Sequence, residues 1–172
     1  FIADKNVTVK AIAASNPEQF AISDLLPSTM AIQEIKTYQW MNPAKVSNAT
    51  PGLAYYYDEP TGKINLSVLD GKNFSLSGIA SNISEKVKKK NEKYVLWFQG
   101  YIKINSDGIY TFFTDSDDGS MLYIDDEEIV NNDGDHGNVE KSGNAALKKG
   151  YHKIKVLYFD SGGGNSLKVS IQ

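Results

Sequence analysis

The sequence contains no cysteine and no arginine. Without cysteine the chain cannot form a disulfide framework, a thiolate metal site or a cysteine nucleophile, although this does not argue against secretion. Without arginine it lacks the bidentate guanidinium groups that usually bind phosphate or read guanine, so nucleic acid is a poor candidate partner. The sequence also has no apolar run of about 18 residues, so it predicts no membrane-spanning helix.

The remaining composition is typical of a globular protein. The 172 residues are 41% hydrophobic and 23% charged, which provides enough apolar material for a sizeable core. The formal net charge of −3 is unevenly distributed: 11 lysines and 9 acidic residues up to position 93, but 7 lysines and 12 acidic residues after it. Nine of these acidic residues fall between Asp115 and Asp135, where no basic residue occurs. This acidic stretch either faces solvent or binds a cation.

Residues 1–38 predict only two strands. Residues 7–13 and 31–35 alternate between apolar and polar side chains, and the proline-containing polar stretch between them predicts a loop. Two or three strands cannot close a core of their own. We therefore expect residues 1–38 to be a linker or the tail of a preceding small β domain. Because the chain begins at Phe1, we expect a processed chain or a piece of a longer one.

Residues 39–172 predict an all-β domain. In the last strand Leu167, Val169 and Ile171 share one face, as in a strand with one face buried. Glycine-containing turns separate the apolar runs, and no βαβ pattern occurs. The sequence therefore predicts an antiparallel, lectin-like β-sandwich or barrel. The predicted strands are residues 52–57, 94–104, 108–114, 120–125, 151–159 and 166–171.

The two histidines give little support to a catalytic mechanism. His152 lies within an alternating strand and is expected to be structural, whereas His136 lies in a loop with acidic neighbours. The sequence has neither a Gly-x-Ser-x-Gly elbow nor a His-Glu-x-x-His motif. Carboxylate pairs for glycoside hydrolysis cannot be chosen from sequence, because their separation decides that chemistry. We expect no catalysis by this segment.

A cluster of lysines precedes the strand predicted at residues 94–104. It could form a basic patch for an anionic polymer. No aromatic residue interleaves with the lysines, however, so the pattern favours a solvated helix or loop over residues 81–93. The clustered lysines are Lys86, Lys88, Lys89, Lys90 and Lys93.

Residues 115–120, Asp-Ser-Asp-Asp-Gly-Ser, concentrate carboxylates between two predicted strands. Calcium takes about six to eight hard oxygen ligands from carboxylates and backbone carbonyls, and a turn relieved by glycine lets adjacent carboxylates converge on such an ion. The stretch is not an EF-hand, because its glycine is displaced from the required position and no glutamate closes the loop. It predicts either a calcium site or a charged hairpin turn.

The ten tyrosines and two tryptophans suggest contact with sugar, because flat apolar rings stack on pyranose faces. The alternative is that most of these rings belong to the core, since many lie at strand spacing. No single aromatic residue is therefore selected as a sugar contact. The aromatic residues at strand spacing are Trp97, Phe98, Tyr110, Phe112, Tyr123 and Tyr158.

An ordered series of motifs runs through the second part of the chain. It comprises Gly-Leu-x-x-Tyr-Tyr from position 52, Phe-Gln-Gly-Tyr-Ile-Lys-Ile from 98, Asp-Gly-Ile-Tyr-Thr-Phe from 107 and Ser-Asp-Asp-Gly-Ser-Met-Leu-Tyr-Ile-Asp from 116. His136-Gly137, Gly143, Gly150-Tyr151-His152 and Tyr-Phe-x-x-Gly-Gly-Gly from 158 follow. The series resembles the protective-antigen-type module, a β-sandwich family named after a fragment of the anthrax toxin component. The resemblance covers about residues 39–172.

The resemblance implies a lectin-like sandwich of the kind found in bacterial glycoside hydrolases, toxins and yeast adhesins. In the sugar-binding members two adjacent aspartates hold calcium, and Asp117 and Asp118 match that pair. Asp160 matches the place of a third ligand, although the adhesins carry asparagine there and present an aromatic residue that this glycine loop lacks. Residues 125–128 are then expected to form a solvated hairpin tip. The residues expected to bind calcium are Asp117, Asp118 and Asp160, and those expected to bind glycan are Asp117, Asp118, Gly162, Gly164, Asn165 and His136.

Residues 6–13 are similar to the closing strands of the small β domain near the C-terminus of chitobiase-type β-hexosaminidases. Together the two resemblances imply the C-terminal region of a secreted bacterial glycoside hydrolase of β-hexosaminidase type. We expect a non-catalytic, Ca²⁺-dependent carbohydrate-binding module whose partners are a glycan and the catalytic domain of the parent enzyme. Its expected location is extracellular, periplasmic or on the cell surface. The alternative is a structural or protein-interaction module without a sugar site, which would carry an apolar patch on one sheet.

Overall fold

The computed structural model describes residues 7–11, 31–35, 38–69 and 74–172 and divides the chain into two compact units, residues 1–39 and 40–172. In the first unit strands β1 (Val7–Ala11) and β2 (Ala31–Ile35) pair antiparallel, as the alternation of both segments predicts. Residues 12–13 of the first predicted strand and the loop predicted between the two strands lie outside the described residues.

The second unit is a sandwich of two β-sheets, which confirms the all-β class. The larger sheet has the strand order β5-β4-β6-β11-β8-β9 and is antiparallel throughout. The smaller sheet has the order β12-β7-β10-β3, in which β10 and β3 are parallel. The strands are β3 (Trp40–Met41), β4 (Leu53–Asp58), β5 (Leu76–Ala80), β6 (Tyr94–Ile104), β7 (Gly108–Asp117), β8 (Ser120–Ile124), β9 (Glu127–Asn132), β10 (Val139–Leu147), β11 (Gly150–Asp160) and β12 (Ser166–Ile171).

The core between the sheets follows the period-two alternation of the strands. Leu96 and Phe98 of β6 are fully buried in one cluster with Phe112 and Leu167 of the smaller sheet. Burying one such side chain contributes about 1.5–3 kcal/mol. The alternation that identifies these strands in the sequence therefore also supplies much of their stability.

A second apolar cluster covers part of the outer face of the larger sheet. Leu66 and Leu69, at a 3₁₀ turn, pack against Leu157 and Phe159 of β11. The aromatic residues at strand spacing divide accordingly: Phe98, Phe112 and Tyr158 are buried, and Trp97, Tyr110 and Tyr123 are partly exposed. Among the described residues, no helix has both the length and the hydropathy needed to cross a membrane.

His152 is a buried structural residue, as its position in an alternating strand predicts. Its ring is fully buried, with Nδ1 2.6 Å from Oδ2 of Asp125 and Nε2 2.7 Å from the main-chain oxygen of Lys148. The other oxygen of Asp125 accepts a hydrogen bond from the main-chain N–H of Lys153 at 2.8 Å. The imidazole therefore joins the β8–β9 hairpin to β11 and to the turn that precedes it.

The hairpin tip predicted at residues 125–128 is shorter than expected. Asp125 and Asp126 form the turn in the left-handed region, at φ 48° and φ 70°, while Glu127 and Glu128 already belong to β9. Asp126 pairs with Lys153 near the surface. Asp125 is not a solvated charge, because its carboxylate is committed to the buried His152.

The register places the chain's entry into the sandwich at one end and the Asp117–Asp118 turn at the other. β3 pairs with the last residues of β10, where Leu147 lies opposite Gly108, the first residue of β7. Asp117 is the last residue of that ten-residue strand, about 30 Å away at ~3.4 Å per residue. β12 starts opposite Asp117 and runs back, so that Gln172 pairs with Thr111.

Gly143 of β10 lies against the backbone of β9 in the other sheet. A Cβ at this position would lie 1.8 Å from the main-chain oxygen of Ile129 in β9, so a side chain would push the sheets apart. We expect Gly143→Ala to lower the free energy of unfolding by about 1–3 kcal/mol, as overpacking does in other cores. Urea denaturation measures this loss. Gly137→Ala is the matched control because a Cβ there meets nothing within 4 Å; equal midpoints for the two variants would contradict the prediction.

Candidate calcium and sugar site

The candidate site lies where the chain crosses from the smaller sheet to the larger one. β7 ends at Asp117 and β8 begins at Ser120, so Asp118 and Gly119 form the crossing. The peptide bond between Asp117 and Asp118 is cis. Gly119 is needed here, because a Cβ would lie 2.5 Å from the ring of Phe159. The crossing holds two adjacent aspartates at one end of the sandwich.

The carboxylate of Asp118 joins three segments. The residue is 5% exposed, and its Oδ1 accepts a hydrogen bond from the main-chain N–H of His136 at 3.0 Å. Its Oδ2 accepts from the main-chain N–H of Ser161 at 2.9 Å and from the Ser161 hydroxyl at 3.1 Å. These bonds attach the loop after β9 and the loop after β11 to the β7–β8 crossing.

Asp160 brings a second buried carboxylate to the same end of the sandwich. It is fully buried, and its Oδ1 accepts a hydrogen bond from the main-chain N–H of Lys93 at 3.1 Å. Its Oδ2 has no hydrogen-bond partner among the described residues. Burial raises the pKa of the Asp160 carboxyl above its ordinary value; the Lys93 N–H opposes this rise, and the charges of Asp118 and Glu92 add to it.

Asp117 faces the glycine loop that follows β11. A Cβ on Gly164 would lie 2.7 Å from Oδ2 of Asp117, so only glycine allows this approach. The main-chain oxygen of Asp117 accepts a hydrogen bond from the hydroxyl of the buried Tyr158 at 2.6 Å. The backbone of Asp117 is therefore fixed from the core, while its half-buried carboxylate lies beside the loop.

The glycine loop is held by the lysine-rich segment. Gly162 and Gly163 have φ values of 132° and 92°, which favour glycine. Asn165 accepts a hydrogen bond from the ammonium group of Lys88 and donates one to the main-chain oxygen of Asn91 at 3.1 Å. The interpretation of residues 81–93 as simply solvated is therefore incomplete, because part of this segment packs against the predicted site.

His136 contributes its backbone to the site. Its main-chain N–H binds Asp118, whereas its ring bonds within its own loop: Nδ1 lies 2.8 Å from the oxygen of Gly137 and Nε2 lies 3.0 Å from the oxygen of Asn132. The predicted site residues are thus brought to one end of the sandwich. Asp117, Asp118, Gly164 and the His136 backbone form its centre, and Asn165 supports the glycine loop.

The donors around the crossing suit a hard cation better than a soft one. They are carboxylate and main-chain oxygens, the ligands that calcium prefers. In the part of the chain that the structure describes, no three His, Cys, Asp or Glu side chains are grouped as a metal cluster. A calcium ion held by Asp117 and Asp118 would therefore need further oxygens from the glycine-loop backbone and from water. Oδ2 of Asp160 is a further buried oxygen at this end of the sandwich without a hydrogen-bond partner among the described residues, and a cation beside it would favour the ionised form of the carboxyl.

Sandwich architecture and a loop-built end define a lectin-like β module. A family profile described as the PA14 domain matches residues 49–172, and the chain belongs to this family. The PA14 domain is a non-catalytic domain. The identification agrees with the resemblance to the protective-antigen-type module drawn from the sequence motifs. The profile match begins at residue 49, so the resemblance of residues 6–13 to chitobiase-type proteins stays a prediction.

Three similar proteins illustrate the range of this family. Protective antigen of Bacillus anthracis is 28% identical over 109 residues, 62% of this chain and 13% of its own length. The PA14 sugar-binding domain of an RTX adhesin superposes with a TM-score of 0.61 at 17% identity, over 72% of this chain and 90% of that one. A β-glucosidase of Kluyveromyces marxianus, solved with glucose, superposes with a TM-score of 0.53 at 20% identity, over 70% of this chain and 15% of that one.

The two structural comparisons show that this chain shares its fold with the adhesin domain and with part of the β-glucosidase. The chain covers 13% of the curated relative's length, so most of that protein has no counterpart here. The same fold thus occurs within a sugar-binding adhesin and within a glycosidase chain.

Several residues that build this end were not identified from the sequence. Ser161 and Lys93 act mainly through main-chain N–H groups, which every residue except proline carries, so their identity gives no signal. Tyr158 was placed among the strand-spaced aromatic residues, but its hydroxyl bond to Asp117 depends on pairing between distant strands.

The raised pKa of Asp160 predicts a pH dependence of stability in the metal-free protein. The folded state favours the neutral carboxyl, so ionisation of Asp160 costs folding free energy as the pH rises through the raised pKa. Asp160→Asn keeps an acceptor for the Lys93 N–H and has no proton to lose. In chelator, we expect the melting temperature of the wild type to fall relative to that of this variant as the pH rises from the ordinary range of a carboxyl pKa through the raised pKa of Asp160. A difference that does not change with pH would contradict the prediction.

Proposed function

We propose that residues 40–172 form a calcium-dependent carbohydrate-binding module, with the binding site at the Asp117–Asp118 end of the sandwich. The observation that carries the proposal is the excess of buried acceptor oxygens there. Asp118 is fully hydrogen-bonded and almost completely buried, yet Oδ2 of the nearby Asp160 lacks a partner among the described residues. A divalent cation would offset the charge of the ionised Asp160 carboxylate.

The chain's own residues orient the site. Tyr158 holds the backbone of Asp117, and Ser161 and His136 hold the carboxylate of Asp118. Bound calcium supplies open coordination positions that sugar hydroxyls can occupy. The backbone of residues 161–165 borders these positions, because Gly164 lies against the carboxylate of Asp117.

Such a site is shallow and polar, and we expect weak affinity for a single sugar. Its role is to keep a larger protein near glycan, because tethering raises the local concentration of substrate without new chemistry. We propose a glycoside hydrolase of β-hexosaminidase type as the parent enzyme. The occurrence of the fold in a β-glucosidase chain supports a glycosidase, and the similarity of residues 6–13 to chitobiase-type proteins suggests the type. Calcium-dependent binding fits an extracellular, periplasmic or surface location, where calcium is abundant.

The calcium proposal predicts binding that depends on the aspartate pair. We expect calcium to raise the melting temperature of the wild type, because the ion binds only the folded state, and to give a measurable heat of either sign in calorimetric titration. The double variant Asp117→Asn, Asp118→Asn should lose both effects. Asp135→Asn is the matched control, since this exposed acid lies in the same acidic stretch but outside the site. An unresponsive wild type, or a double variant that responds as strongly, would show that the metal site is wrong.

The sugar proposal predicts glycan binding that requires calcium. On a glycan array, the wild type should bind a restricted set of glycans in calcium, and chelator should remove the signal. The Asp117→Asn, Asp118→Asn variant should give no signal in either condition. An array that shows no binding in calcium would contradict the sugar proposal.

One observation favours the alternative of an interaction module without a sugar site. Ile79 and Tyr101, 73% and 51% exposed, line a cavity of about 540 Å³ on the outer face of the larger sheet, together with Ala54 and Pro51. An exposed apolar surface of this kind suits protein contact. A blank array, combined with loss of parent-enzyme stability when residues 40–172 are removed, would favour this alternative.

A further inference from the structure

A groove opens beside the candidate calcium site and belongs to neither the aspartate pair nor the glycine loop. Its volume is about 730 Å³. One wall is the loop of residues 59–64, the other contains Lys90 and Lys93, and Ser161 lies at its end. We call it the lysine groove.

The lysine groove is directly connected to the candidate site. Ser161, which lines the groove, donates two hydrogen bonds to Oδ2 of Asp118. Lys93, which also lines it, donates its main-chain N–H to Oδ1 of Asp160. A glycan whose hydroxyls meet calcium at the aspartates therefore has neighbouring substituents within reach of the groove.

The two lysines of the groove differ in how far their charge is compensated. Lys90 forms an ion pair with Glu59, which also accepts a hydrogen bond from the hydroxyl of Tyr57 at 2.7 Å. The exposed ammonium group of Lys93 has no ion pair or hydrogen bond with any described residue. Glu59 is the one acidic residue among those lining the groove. The net charge offered to a ligand there is therefore positive.

The backbone of Lys93 supports a role in the site. Its φ of 59° lies in the left-handed region, which residues with a side chain adopt infrequently. This conformation lets one residue bind Asp160 through its N–H and line the groove with its side chain. Such conformations persist where the surrounding structure determines them, often at ligand sites.

We propose that the lysine groove receives a negatively charged substituent, a carboxylate or a sulfate, of the glycan held at the calcium site. Lys93 is its charge partner and makes acidic saccharides the preferred class of ligand. The inference rests on the proposed function and deepens it. Acidic residues on the other side of the site confine this attraction to the groove. Asp117 at the end of β7 and Asp133 and Asp135 in the loop after β9 repel anions elsewhere at this end.

The test compares matched pairs of glycans that differ only in an acidic group: a uronic acid against its parent hexose, and a sulfated sugar against the unsulfated one. In calcium, the wild type should bind the acidic member of at least one pair about tenfold more tightly. Lys93→Gln should reduce binding of that member about three- to tenfold and leave the neutral member within about twofold, as for the loss of an exposed charged contact. Lys93→Arg, which keeps the charge, should retain the preference.

Lys103→Gln is the matched control, because Lys103 is an exposed lysine near the far end of β6, whereas Lys93 directly precedes that strand. Equal binding of acidic and neutral members, or an equal loss of both in Lys93→Gln, overturns the inference and leaves the proposed function standing. The inference is also overturned if acidic glycans still bind in chelator, or if Lys103→Gln weakens their binding as much as Lys93→Gln does. Either result would identify a general attraction to the protein surface. Absence of any glycan binding in calcium overturns both this inference and the proposed function.

Discussion

The loops at the Asp117–Asp118 end of this sandwich are held together by the carboxylate of Asp118. Its three hydrogen bonds attach the loop after β9 and the loop after β11 to the crossing between the sheets. Hydrogen bonds to a charged group contribute about 1.5–3 kcal/mol each, and a buried carboxylate deprived of them is costly. This side chain positions Ser161 and the backbone of His136. Tyr158 fixes the backbone of Asp117, and the lysine-rich segment holds the glycine loop through Asn165.

Two oppositely charged parts of the sequence meet around that carboxylate. The acidic stretch supplies the crossing, and the lysine-rich segment supplies the Lys93 N–H to Asp160 and the Lys88 ammonium group to Asn165. The net charge of −3 therefore conceals a local pairing of an acidic centre with a basic border. The acidic centre therefore attracts cations, and the basic border attracts anions.

The sequence predicts the strands whose apolar pattern continues along most of their length. β12 alternates because one face is buried, whereas β6 and β11 contain longer apolar runs because the second apolar cluster also covers part of their outer face. β10 is missed because its first residues, from Val139 to Ser142, are exposed and give no alternation. The aspartate pair is found through its motif. The contacts made by Lys93 and Ser161 cannot be predicted from the sequence. Every residue except proline has a main-chain N–H, and only long-range strand pairing decides which acceptor it meets.

The strand register also determines how this module can be built into a larger protein. Trp40 lies at the end of the sandwich opposite Asp117, and Gln172, which pairs with Thr111, lies about 20 Å from the crossing at ~3.4 Å per residue of β7. A protein fused at either position would therefore be joined at a distance from the loops of the Asp117–Asp118 end.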